Sequence, residues 1–220
     1  VVVGFFESAS FGFGVTNLTN QGAGDAYVAK LSTLDGASLA LVGATSNGVA
    51  DEQFFAVGVE GSGHVVAGGH ENSLGDFDVY VERFDSGLGS TQVGGQAATG
   101  DDFTRAVDVD AVGNVAVGGS FAGSSLTIDG VTLNAAAPGT NAFILLLDAT
   151  LTATSGWAPT AATGDSSIEG LRLGQGALFA GGSYAGAGFD AGAGTLGTPP
   201  SETAPLLLRL DHGNLAVEWT

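Results

Sequence analysis

The sequence predicts an all-β fold assembled from repeated four-stranded antiparallel units, and three observations point there. The segment His64-Val-Val-Ala-Gly-Gly69 recurs as Asn114-Val-Ala-Val-Gly-Gly119 and Ala177-Leu-Phe-Ala-Gly-Gly182, with a weaker copy in Val1-Val-Val-Gly4. Apolar runs of strand length flank the copies in a constant order, at a period of roughly 50 residues. Glycine takes 38 of 220 positions and proline only 5, a composition suited to tight turns between short strands and hostile to helices.

Each unit reads as four strands, A to D. Strand A is Phe55-Ala-Val-Gly-Val59, Arg105-Ala-Val-Asp-Val109 and Glu169-Gly-Leu-Arg-Leu173. Strand B is the segment that ends in Gly-Gly, where a missing Cβ allows a bulge or a close backbone approach. Strand C is Ala26 to Leu31, Val79 to Phe84, Ala142 to Leu147 and Pro205 to Leu210; strand D follows, as in Ser38 to Val42 and Asn214 to Trp219. The units run 1–50 (strands B to D only), 51–99, 100–163 and 164–220. Between B and C of the third lies Ser124-Ser-Leu-Thr-Ile-Asp-Gly-Val-Thr-Leu133, which alternates about Asp129-Gly130 and predicts a small extra hairpin.

Four strands in a period of roughly 50 residues predict β-propeller blades, with about four repeats in view. Solenoid repeats are usually shorter, and a sandwich does not repeat in sequence. Strand A is then innermost and buried on both faces, which suits Ala56, Val57 and Val59. The chain has no Met and opens within a blade, so it is expected to be part of a longer polypeptide. The strand missing from the first unit is expected from more chain or from another subunit.

The stretches Gly113-Asn114-Val-Ala-Val-Gly-Gly119 and Gly24-Asp-Ala-Tyr-Val-Ala-Lys-Leu31 resemble the SBBP-type bacterial β-propeller repeat. The later units depart from it, with Asn141 and Ala204 where the first two have Asp25 and Asp78. The resemblance implies the propeller fold and a secreted or cell-surface setting. It implies no shared catalytic set.

The chain carries 23 acidic and 5 basic side chains, a net charge of −18. Such a surface repels phosphate backbones and anionic membranes, which excludes nucleic acid as a partner. No apolar run reaches the ~18 residues of a membrane helix, so no membrane insertion is expected. There is no Cys, hence no disulfide and no thiolate metal site. The charge reads as solubility for a surface poor in Lys and Arg.

One acidic motif is in register: Asp51-Glu52, Asp101-Asp102 and Asp165 each precede strand A by the same few residues. On a propeller face they form either a partial ring able to take Ca²⁺, since hard cations want convergent oxygens, or turn caps that bond backbone N–H groups. Arg105 and Arg172, near strand A, are candidates to pair with these acids. Asp108-Val-Asp110 and Asp76-Phe-Asp78 read as solvated faces. His64, His70 and His212 fall on two different faces and do not converge on one metal or nucleophile. Trp157 and Trp219, near the outer D strands, are either core or exposed platforms for a glycan or protein. Asn17-Leu-Thr19 is a formal glycosylation sequon.

The expected function is therefore that of a non-catalytic structural or adhesive module, secreted or at the cell surface, that contacts protein partners or itself through its edges. A carbohydrate- or Ca-binding module of lectin type is the alternative. A divalent-ion hydrolase or lyase is disfavoured, because no His, Tyr or Lys converges with the acids. No other cofactor is expected.

Overall fold

A computed structural model describes residues 1–13, 16–32, 38–43, 50–72, 75–94, 100–174, 176–197 and 203–219. The first sheet holds β1 (Val2–Phe6), then beyond a hairpin of β2 (Ser10–Phe13) and β3 (Thr16–Thr19), β4 (Asp25–Leu31) and β5 (Ser38–Gly43), ordered β1-β4-β5. The second sheet is β6 (Asp51–Val59), β7 (Val65–Asn72), β8 (Asp78–Phe84) and β9 (Ser90–Gly94), in that order. The third begins with β10 (Phe103–Val109) and β11 (Val115–Phe121). A hairpin of β12 (Ser125–Ile128) and β13 (Val131–Asn134) precedes its outer strands β14 (Asn141–Leu147) and β15 (Ala153–Trp157). The fourth is β16 (Ser166–Leu173), β17 (Ala177–Ala185), β18 (Thr203–Asp211) and β19 (Val217–Trp219). Every pairing is antiparallel.

The fold is all-β, of four-stranded antiparallel sheets with a three-stranded first one. Among the described residues no helix is long and apolar enough to cross a membrane.

Strand alternation gives each sheet two faces, and successive sheets stack on them. Ala26 and Val28 of the first sheet share one core cluster with Phe54, Val65, Ala67 and Tyr80 of the second. Val66, Val79 and Val81 share another with Val107, Val117 and Leu145 of the third. Ala116, Ile144 and Trp157 share a further one with Ile168, Leu178 and Leu208 of the fourth. Three cores thus separate four sheets. The middle strands β8, β11 and β14 are buried along their whole length, which explains why β11 and β14 run largely apolar without alternation, while β8 buries Asp78, Glu82 and Arg83 among its apolar residues.

The Gly-Gly pairs have two different jobs. The first glycine is a seat for the next sheet: a Cβ at Gly118 would lie 2.9 Å from Ile168 Cγ2 and 3.0 Å from Leu171 Cδ1. The second lies beneath a bulge in the first strand of its own sheet, where the register shifts between Phe54 and Ala56, Thr104 and Ala106, and Ile168 and Gly170. A Cβ at Gly69, Gly119 or Gly182 would overlap the carbonyl oxygen of Gln53, Phe103 or Ser167.

Many aspartates close turns. Asp85 Oδ1 accepts the N–H groups of Gly87 and Gly89, and Asp110 Oδ1 those of Val112 and Asn114, each at 2.8 or 2.9 Å. Asp148 and Asp211 act likewise in the last turns of their sheets. Part of the negative charge is therefore a by-product of turn capping.

Strand order and the β12–β13 hairpin agree with the sequence, with Asp129 and Gly130 both at positive φ in its turn. Burial of the first strands differs: in β6 Ala56 and Val57 are half-buried and Val59 is 51% exposed, so the strand is not buried on both faces. Asp78 is buried, not solvated. It starts a strand that lies between two sheets.

Candidate functional site

The in-register acids sit where each sheet meets the one before it. Phe77 and Thr140 immediately precede the third strands of the second and third sheets. The N–H of Phe77 donates to Asp101 Oδ1 (3.2 Å), while its carbonyl accepts the N–H of Asp102 (2.6 Å). Thr140 repeats this with Asp165 Oδ1 (2.9 Å) and the N–H of Ser166 (3.0 Å). At the first junction Gly24 accepts from the N–H of Glu52 (2.9 Å), and a Cβ on Gly24 would lie 2.6 Å from Asp51 Oδ1. One motif therefore makes the same two-bond clamp at two junctions and its backbone half at the first.

This placement departs from the expectation that each acid caps its own turn. Asp101 and Asp165 cap a backbone N–H of the preceding sheet rather than their own turn. Each acid is directed at its own junction, and among the described residues no three His, Asp or Glu side chains are grouped to hold a metal ion. Glu52 and Asp102 are fully buried, whereas Asp101 and Asp165 are exposed. Burial raises the Asp102 carboxyl to about 7 against the N–H bond from Ala122 (3.0 Å), and the neighbouring Asp78, Asp76 and Asp101 add to the rise.

Beside this junction is a ring of aromatics. His70 lies 4.4 Å from Phe77, 5.1 Å from Phe103 and 5.2 Å from Phe55, centroid to centroid, and Arg105 sits over Phe103 at 5.3 Å. Burial lowers the His70 imidazole to about 4, with Arg105 adding and Asp51 and Asp101 opposing. The ring is thus neutral at pH 7, and neither nitrogen has a hydrogen-bond partner among the described residues. It is a packed side chain without the partner a general base requires.

The cations pair elsewhere than expected. Arg172 meets Asp108 at 3.3 Å and Arg105 meets Glu169 at 3.8 Å, both across the third and fourth sheets and both at exposed arginines. A cation the sequence reading passed over has the larger structural part. Arg83, buried in β8, pairs with Glu60 at 2.9 Å and donates to the carbonyls of Gly113 and Ala149 in the next sheet's turns. An arginine between Glu82 and Phe84, directly after the apolar run Val79 to Val81, was the available signal. The buried Glu82 beside it accepts from Tyr80 Oη at 2.8 Å, and burial raises its carboxyl.

Trp157 is buried at 7% exposure in the core, its Nε1 donating to the Ala191 carbonyl at 2.9 Å, so it offers no exposed platform. The backbone of Trp219 pairs with Arg209; its side chain lies outside the described residues. Asn17 is exposed on β3. Neither the protein-family models nor the curated proteins include a match to this chain.

Proposed function

We propose that this chain is a non-catalytic structural or adhesive module, a row of β-propeller blades in a secreted or cell-surface bacterial protein, acting through protein–protein contact. The observation that carries this reading is the outer face of the fourth sheet. β18 has the apolar run of a strand buried on both sides, like β14. Yet Leu206, Leu208 and Leu210 are buried while Leu207 between them is 55% exposed. A leucine at that register costs solvation unless another surface covers it.

The propeller arrangement is supported by the stacking of successive sheets through their first strands, such as Gly58 against Val109 Cγ1 at 3.1 Å for a built Cβ. The extracellular setting is supported by the repeat resemblance. The clamp role of the in-register acids favours structure over calcium binding, and the burial of Trp157 disfavours a glycan platform there. Sedimentation velocity tests the reading. The protein associates as its concentration rises and Leu207→Glu abolishes the association; a monomer at all concentrations, identical in the variant, overturns it.

A further inference from the structure

We infer that the free edge of β1 accepts an added strand with the chemistry of this chain's own first strands. This rests on the assembly reading and names the partner's form. Gly69, Gly119 and Gly182 lie opposite Tyr80, Phe143 and Leu206 on the third strand. On their other side they lie opposite Phe54, Thr104 and Ile168, where the first strand bulges and its carbonyl leaves no room for a Cβ. A bulged first strand is what makes that glycine necessary.

Gly4 holds the same register, opposite Tyr27. β1 is nonetheless the edge of its sheet, and a Cβ on Gly4 would meet only the flexible Tyr27 side chain, at 2.9 Å. The residue is the one a bulged neighbour demands, with no such neighbour among the described residues. Exposure agrees. Val65 to His70 of β7 and all of β11 are buried, whereas Val2 and Phe5 of β1 are each 40% exposed. A sheet edge flanked by exposed apolar side chains is a template for strand addition.

The fourth sheet specifies the added strand's side chains. Gly68 and Gly118 each receive two side chains of the following first strand, Thr104 with Val107 and Ile168 with Leu171. Gly181, in the same register, has nothing within 4 Å of a built Cβ. The occupant is therefore an extended segment with two apolar or branched residues three positions apart about a bulge, as in β10 or β16. It adds to β1 antiparallel, and its two side chains fit a seat of the Gly181 kind.

The test uses the whole protein, a synthetic peptide of residues 100–110 and amide hydrogen exchange over Val2–Phe6. The peptide slows exchange there by at least about tenfold, the same peptide with Val107→Pro does not, and Gly4→Ala removes the protection. Slow exchange in the protein alone, lost in Gly4→Ala, equally supports an occupied edge. Fast exchange unchanged by millimolar peptide overturns the inference, as does slow exchange indifferent to Gly4→Ala. Protection in a protein that sediments as a monomer sinks the assembly reading only.

Discussion

Gly68 faces Val107 across the junction of the second and third sheets so closely that a Cβ on the glycine would lie 2.5 Å from Val107 Cγ2. The sheets approach to the distance that a bare α-carbon permits, and the neighbour's side chains fill the gap.

Substitution of these glycines is consequently position-dependent. Gly118→Ala forces Ile168 and Leu171 to move and destabilises by about 1–3 kcal/mol. Gly119→Ala sets a methyl on the Phe103 carbonyl and prevents the third sheet from forming. Gly181→Ala, with open space around it, changes stability by less than about 1 kcal/mol. Urea unfolding of the three variants checks the order.

The clamp at Thr140 predicts a graded series. Asp165→Ala loses the acceptor for the Thr140 N–H and costs about 1 kcal/mol. Asp165→Asn keeps an acceptor oxygen and costs less. Thermal melting of the pair in chelator and in calcium shows the same difference under both conditions if the acid's role is the clamp.

Asp102 and His70 act on stability in opposite senses with pH. The folded Asp102 carboxyl, raised to about 7, holds its proton where the unfolded chain has lost it, so its contribution is lost as pH rises from about 4 to about 7. The folded His70 imidazole, lowered to about 4, resists the proton that the unfolded chain takes up, so its contribution is lost as pH falls from about 6.5 to about 4. Each effect is on the order of 3–4 kcal/mol at most. For these two groups the slopes cancel between pH 4 and 6.5. Asp102→Asn makes stability rise with pH across that window relative to the parent, and His70→Gln makes it fall. Denaturant midpoints at several pH values read this directly.

Leu88, Leu151 and Leu215 are buried leucines at positive φ in the last turn of the second, third and fourth sheets. Burial offsets a backbone conformation that only glycine adopts freely. Leu151→Ala loses about 2–5 kcal/mol of packing and keeps the strain. Leu151→Gly loses the same packing and relieves it, so it is at least as stable as the alanine variant. Calorimetry of the two decides the point.

Strand order was legible because Gly-Gly, the apolar runs and Asp129-Gly130 each have a local cause. The β2–β3 hairpin was not: Phe11 stacks on Phe6 at 5.3 Å, but small residues around it blur the alternation. The acids were found in register but not in role, because Asp101 and Asp165 bond a backbone N–H, which leaves no mark on the sequence of its owner. Trp157 is buried by the segment carrying Ala191, from the following sheet, and strand position alone gives no sign of that cover.

We propose that the stacked sheets, with an open face and an open edge, serve assembly. Electron microscopy of the native material tests this most directly. Rows or rings of four-stranded blades in regular contact with their neighbours are the expected result; isolated particles that do not associate contradict the assembly role.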